Sequence, residues 1–410
     1  MKKIHILAGI IFLSLQVAAQ EISYTEYMER VFANNIALTA RKLDIEIAEA
    51  GVKSSRVYND PTLALSYTNS EDWSKELGQG IEVELGKSFS FGVRHGRMDV
   101  ADKERRQTVA LLEEYIRNFR ANATIAYLEH IRANMMLQET TEMYRDINEV
   151  ASNDSIRFHK GDIAESNWLE SRMAQGIARN AMLEAEALLE NTAIMLGYFM
   201  GDITRAETLR GTGSLEIDGK PAPLAEYIRT AIQHRPDIVV ALGQADIAEA
   251  KLKFNKAQRR PELNVNIGAT YNFGNPDFTT LKAGIAVPLK FSSLNKGSRM
   301  IDETLLKQAN IEAEEARLLV ETEVMQAYSS FSYATKQAET FSAKMLSDME
   351  RVVESKRRAY ELGEISFHDY LIVERNENEM RQQYIDALFG KAAAWVELQH
   401  ATGFGTEAEK

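Results

Sequence analysis

Residues 360–374 read YELGEISFHDYLIVE, and residues 158–172 read FHKGDIAESNWLESR. Both stretches place a glycine (Gly363, Gly161) between two long helical patterns, and both put a polar residue six positions later (Asp369, Asn167). A glycine between two helical runs marks a helix stop and a reversal. The same reversal written twice, about 200 residues apart, raises the question of an internal duplication.

Other segments answer it at nearly the same offset. Ile47-Ala48-Glu49-Ala50 recurs as Ile247-Ala248-Glu249-Ala250, and PTLALSY from Pro61 recurs as PELNVNI from Pro261. Arg97-Met98 recurs as Arg299-Met300, and Asn167-Trp168-Leu169 as Asp369-Tyr370-Leu371. The chain is therefore two tandem repeats, predicted over 20–200 and 224–402 and joined by a connector at 201–223. A period this long is not that of a solenoid.

Each repeat has the same plan. Helical patterns over 24–57 and 222–258 precede alternating segments at 61–90 and 261–291. In the second repeat Leu263, Val265, Ile267, Ala269 and Tyr271 alternate with polar residues, and Leu281, Ala283, Ile285 and Val287 continue the apolar face through Leu289 to Phe291. A period of two with one apolar face predicts strands, joined here through the turn GNPD at 274–277. Pro288 suits a strand end. Long helices are predicted over 97–157 and 299–358. Val320, Val324, Ala327, Phe331, Ala334, Ala338, Phe341, Met345 and Val352 recur at steps of four, three and seven, a coiled-coil seam. Each long helix then turns at Gly161 or Gly363 and returns through 163–198 or 365–401. About sixty helical residues span roughly 90 Å, so the reversals are expected far from the strands.

The N-terminus carries Lys2 and Lys3, an apolar run from Ile4 to Leu15, and Val17-Ala18-Ala19. That predicts a signal peptide over 1–19 and export from the cytoplasm. The chain has no cysteine, which excludes disulfides, thiol catalysis and a lipid-modified N-terminal cysteine. Its formal charge of -12 argues against nucleic acid as a partner. No later segment has the apolar length of a membrane helix, so a membrane crossing must use strands. Four strands cannot close a barrel and open edges cannot face lipid, so several chains are expected to share one. Ile267 and Ile285 are placed on the lipid-facing side.

The ordered set of repeats and hairpins, HRPDI at 234–238, VPLKFSSLNKGSR at 287–299 and the turn at 360–371 resembles the TolC family of outer membrane efflux channels. The resemblance covers essentially the whole chain past the signal peptide. It implies a mainly α fold with a small β part: long coiled-coil-like helices forming a trimeric α-barrel, and four transmembrane strands per protomer in a shared 12-stranded barrel. It implies a homotrimer in outer membrane lipid, spanning the periplasm and working with a periplasmic adaptor and an inner-membrane pump. The function implied is the exit duct of a tripartite efflux system.

In such a channel the two reversals lie at the periplasmic tip. Asp369 and Asn167 then occupy the place of a gate or selectivity ring, and Gly161, Gly363, Asp162, Glu364, Ile163 and Ile365 form the turns where the adaptor docks. The first repeat departs from the family pattern, with Asn167 for an acid, and a second acid found one turn later in some members is Ile372 here. A trimer would thus carry three carboxylates rather than six. The length and the form of the tip further resemble the heavy-metal branch that works with RND-type pumps. The seven histidines are scattered without metal-ligand spacing, and no cofactor or resident metal is expected. No nucleophile elbow, phosphate loop or HExxH helix is present, so no enzymatic activity is expected. Two alternatives stand beside the efflux duct: a periplasmic coiled-coil adaptor, and the exit duct of a type I protein secretion system. A flexible tail is expected over 403–410.

Overall fold

The computed structural model describes residues 20–69, 79–217, 221–273, 279–289 and 296–403. The expected signal peptide, the GNPD turn, the Phe291 end of the strand pattern and the tail beyond Gly403 lie outside these residues. The fold is mostly helical with a small sheet part. In chain order the elements are β1 (Gln20–Ser23), α1 (Tyr24–Asn34), α2 (Ile36–Ser55), β2 (Thr62–Asn69), β3 (Gln79–Phe89), α3 (Val93–Lys160) and α4 (Glu165–Met200). Then follow β4 (Leu209–Thr212), α5 (Leu224–His234), α6 (Pro236–Gln258), β5 (Leu263–Asn272), β6 (Thr280–Ala286), α7 (Lys296–Thr340), α8 (Ala343–Glu361) and α9 (Phe367–Thr402).

The chain divides into two compact units, and each draws on both repeats. One comprises Ala37–Asn118, Ala222–Met325 and the described residues from Ala401. Its sheet is antiparallel in the order β2-β3-β5-β6, one hairpin from each repeat joined through β3 and β5. The register brings the apolar residues of all four strands to one face: Leu65 opposes Val83, Leu85 opposes Ile267, and Val265 opposes Ile285. The other face is polar and tied across strands. Lys282 Nζ meets Glu82 Oε1 at 2.9 Å, and Asn266 Nδ2 donates to Glu84 Oε1 at 2.9 Å. β6 ends at Ala286, short of the predicted alternation through Leu289. Pro288 follows, and a proline has no N–H to continue a ladder.

The expected helices at 24–57 and 222–258 are each two helices. The breaks fall at Asn35 and Arg235, which are extended (ψ 123° and 126°) and 200 positions apart. Arg235 precedes Pro236, and a residue before proline is disfavoured in helical geometry. The Arg235 side chain, 3% exposed, gives the HRPDI motif its structural role. It donates through Nε to Asp237 Oδ1 at 3.0 Å and through Nη1 to the Ala401 carbonyl at 3.2 Å, and it meets Glu323 Oε2 at 2.6 Å. One guanidinium thus ties the start of α6 to α7 and to the end of α9.

The other unit comprises the described residues up to Ile36, Phe119–Pro221 and Gln326–His400. β1 and β4 pair in parallel, and the Tyr127 hydroxyl bridges the Ile22 and Thr212 carbonyls at 2.8 and 2.7 Å. The connector thereby packs as a short strand, beside a fully buried His130 whose Nδ1 lies 2.9 Å from Thr192 Oγ1. The predicted long helix at 299–358 is interrupted after Thr340, where Ser342 caps α8 by accepting the Met345 N–H at 3.1 Å. The seam holds where it was expected through Phe331: Val320, Val324 and Phe331 are no more than 1% exposed. Past the break its phase shifts. Met345 and Val352 face solvent at 45% exposure, and Val353 packs inward in place of Val352.

Candidate functional site: the paired helical reversals

The two reversals are built alike. Gly161 and Gly363 adopt φ of +83° and +80°, the left-handed geometry that glycine takes without penalty. At the first, the Gly161 N–H bonds the Phe158 carbonyl and the Asp162 N–H bonds the Arg157 carbonyl, both at 2.9 Å. At the second, Gly363 bonds Tyr360 and Glu364 bonds Ala359, again at 2.9 Å. Each is a helix stop that satisfies the last free carbonyls. The side chains of Asp162 and Glu364 are exposed, whereas Ile163 and Ile365 are half-buried.

The aromatic packing repeats as well. Phe158 stacks on Trp168 with centroids 4.8 Å apart, and Tyr360 stacks on Tyr370 at 6.0 Å. The second pair is the better enclosed. Tyr360, Phe367 and Tyr370 form a core with Ile147, Val150, Ala174 and Ala178, and Ile365 packs against it. Residues of α3, α4, α8 and α9 thus meet in one cluster, so the two helical hairpins are packed together. A buried polar contact crosses this core. The Tyr360 hydroxyl reaches both carboxylate oxygens of Asp154 at 2.6 Å, and Asp154, 1% exposed, also faces Arg157 at 3.7 Å. Burial and the adjacent carboxylate push the Tyr360 hydroxyl far above its ordinary value, so it remains a donor. Sequence reading missed this pair, since its members lie 206 positions apart.

Asp369 and Asn167 occupy matching positions, but their local roles differ. Asp369 forms a capping box with Ser366. Ser366 donates to Asp369 Oδ2 from its Oγ at 2.7 Å and from its backbone N–H at 3.3 Å, and the Asp369 N–H returns a bond to Ser366 Oγ at 3.2 Å. These bonds hold the Asp369 carboxyl below its usual range, so the exposed group is ionised at neutral pH. Asn167 follows Ala164, which has no side chain able to cap. Ile267 and Ile285 are exposed on the apolar face of the sheet, at 56% and 73%. No helix among the described residues is long and apolar enough to cross a membrane.

The described residues thus hold, in one unit, a four-stranded sheet with an exposed apolar face built from one hairpin of each repeat and, in the other, two packed helical hairpins. The resemblance seen in sequence holds at both levels. The family model for outer membrane efflux protein matches residues 227–404. Over nearly the whole chain the protein is similar to the cobalt-zinc-cadmium resistance protein CzcC of Cupriavidus metallidurans, with 21% identity covering 90% of this chain and 87% of that protein. Its structure resembles that of CusC, described with transmembrane channel formation, with a TM-score of 0.77, 17% identity, and coverage of 93% and 92% of the two chains. It also resembles the Campylobacter jejuni CmeC outer membrane channel, with a TM-score of 0.75, 15% identity, and coverage of 94% and 86%.

Proposed function

We propose that the protein is the outer membrane exit duct of a tripartite efflux system. It takes small toxic solutes from an inner-membrane pump of the RND type through a periplasmic adaptor. The named role of CzcC in cobalt, zinc and cadmium resistance makes divalent heavy-metal cations the favoured cargo. It acts as a conduit rather than as an enzyme.

The observation that carries this reading is the sheet. Leu65, Leu281 and Ile285 are 73%, 85% and 73% exposed on one face, an arrangement that water disfavours and lipid accepts. The opposite face is polar, as a pore lining must be. Among the described residues, β2 pairs only with β3 and β6 only with β5, so each protomer offers two edges. An open edge is not tolerated in lipid, and closure by copies of the same chain resolves it. Three copies give twelve strands and room for a lumen. An adaptor would need further strand-rich domains, whereas the described residues hold this sheet and the short β1–β4 pair alone.

In this assembly the reversals form the periplasmic tip. Gly161, Asp162, Ile163, Gly363, Glu364 and Ile365 present the adaptor-docking turns, and three Asp369 carboxylates line the entrance with three Asn167 amides. The test is direct. Purified protein in detergent should have trimer mass by light scattering and should form discrete channels in planar bilayers. A monomer with no conductance overturns the reading.

A further inference from the structure

A cleft of about 310 Å³ lies among α3, α8 and α9, away from the turns themselves, and it carries more negative charge than its ion pairs absorb. Two arginines line it, and both are committed. Arg381, on α9, meets Glu377 and Glu350 at 2.7 Å each and Glu139 at 3.6 Å. Arg357, on α8, meets Glu354 at 2.9 Å. Three further carboxylates line the same space without such a partner. Glu142 accepts only a long bond from Gln138, at 3.5 Å, and Asp146 has an ion pair only with the exposed Arg145, at 3.4 Å, feeling Arg357 at longer range. The third, Glu374, is 3% exposed, and its Oε2 is buried without a hydrogen bond. The buried Tyr370 hydroxyl faces this carboxyl and favours its charged form, but as a poorly aligned neutral donor rather than a charge partner.

A buried, unpaired carboxylate is costly unless something neutralises it. Either a proton or a cation serves. Among the described residues no three acids or histidines converge as a shell for a bare metal ion, and a 310 Å³ space is far larger than one ion. Its size and its dispersed carboxylates suit a larger cation with several N–H donors.

We propose that this cleft binds a small organic cation, an alkylammonium or guanidinium group, seated on Glu374 with Glu142 and Asp146 around it. The site goes beyond the exit-duct reading and does not depend on it. Without ligand, Glu374 holds its proton below neutrality and shares it with solvent near pH 7. Burial pushes its carboxyl up to about 7, and the Glu377 and Asp146 charges add to this, while Tyr370 and Arg357 offset it in part. Binding of the cation therefore displaces that proton, and affinity rises with pH through neutrality.

The probe is 1,5-diaminopentane, titrated calorimetrically into the detergent-solubilised full chain. The wild type should bind it about tenfold more tightly at pH 8 than at pH 6, as expected for one group titrating near 7. At pH 7, buffers of different ionisation heat should report release of about half a proton. Glu374→Gln should weaken binding at least tenfold and flatten the pH profile. Asp146→Asn should weaken it less, and Glu315→Gln, on exposed α7 surface, should leave it unchanged. Neutral 1,5-pentanediol should not bind. Absence of diamine binding to the wild type overturns the proposal, as does a Glu374→Gln variant with wild-type affinity and pH profile. If Glu374→Gln does not fold, the wild-type profile decides, and a flat profile between pH 6 and 8 refutes the site.

Discussion

Replacing Tyr360 with phenylalanine should loosen the packed hairpins without disturbing the rest of the chain. The change removes one oxygen. The ring keeps its 6.0 Å stack on Tyr370 and its edge contact with Phe367 at 5.6 Å, so hydrophobic burial is almost unaltered. What is lost is the pair of 2.6 Å contacts to Asp154. A hydrogen bond to a charged group contributes about 1.5–3 kcal/mol. Asp154 is 1% exposed and keeps only Arg157, at 3.7 Å, among its charged neighbours. Its desolvation is then poorly offset, so the cost should be about 2 kcal/mol. Because the pair joins α3 to α8, the loss should appear as local opening. Amide hydrogen exchange reads this directly. Protection in the last turns of α3 and of α8 should fall about thirtyfold, the equivalent of 2 kcal/mol, while β3 and β5 keep theirs. Asp154→Asn should act similarly, and the double variant should reveal a coupling of about 1.5 kcal/mol. Less than a threefold change at these helix ends, or an equal change in the sheet, would refute the argument.

Four further outcomes are expected. Asp369→Asn should reduce cation selectivity in planar bilayers while circular dichroism and trimer mass stay unchanged; unaltered selectivity places the entrance charge elsewhere. Ile267→Arg should hinder membrane insertion by roughly 2–4 kcal/mol, whereas Asn266→Ser on the opposite face should be nearly neutral in the same assay. Gly363→Val should cost about 1–3 kcal/mol, all of it conformational, since a Cβ there meets nothing within 4 Å, and it should impair efflux while insertion proceeds. Folded Glu374 holds its proton to about 7 and an unfolded glutamate to about 4.5, so the folded state binds more protons between these values and its stability falls as pH rises through them. Glu374→Gln should therefore stabilise the hairpins by about 3 kcal/mol above pH 7 and by nothing near pH 4, read by denaturant melts at the two pH values.

The sequence disclosed what repeats and what alternates. The strand faces were legible because a period of two has one reading once one face is apolar, and the register found here aligns those faces across all four strands. Gly161 and Gly363 were legible because few other residues tolerate the backbone they adopt. The helix breaks were harder. Pro236 signals the break at Arg235, yet its counterpart at Asn35 is followed by isoleucine, and the Asn35 amide is satisfied by the Phe199 carbonyl at 2.9 Å, a tertiary contact. The break before Ser342 has neither glycine nor proline, and the apolar spacing runs through it, so Met345 and Val352 read as seam residues. Tyr360–Asp154 and the Glu374 cleft rest on pairings between distant segments, which periodicity does not encode.

Asp369 shows how a local role and a functional one can share a side chain. Position and residue type alone fit either a helix cap or a member of an entrance ring. The capping box uses Oδ2 for both bonds from Ser366, which leaves Oδ1 of this exposed residue outside the cap. Those bonds also hold the carboxyl below its ordinary range. Three like charges brought together in a narrow, poorly hydrated entrance would raise one another's proton affinity and tend to discharge the ring. A carboxylate that already accepts two hydrogen bonds resists this, because protonation would sacrifice them. Capping therefore fixes the orientation of the group and preserves its charge under repulsion. Asn167 needs neither service, being uncharged, and the absence of a capping side chain at Ala164 is consistent with that difference. Of the two readings of Asp369, the cap is thus compatible with the proposed entrance ring and would support it rather than rival it.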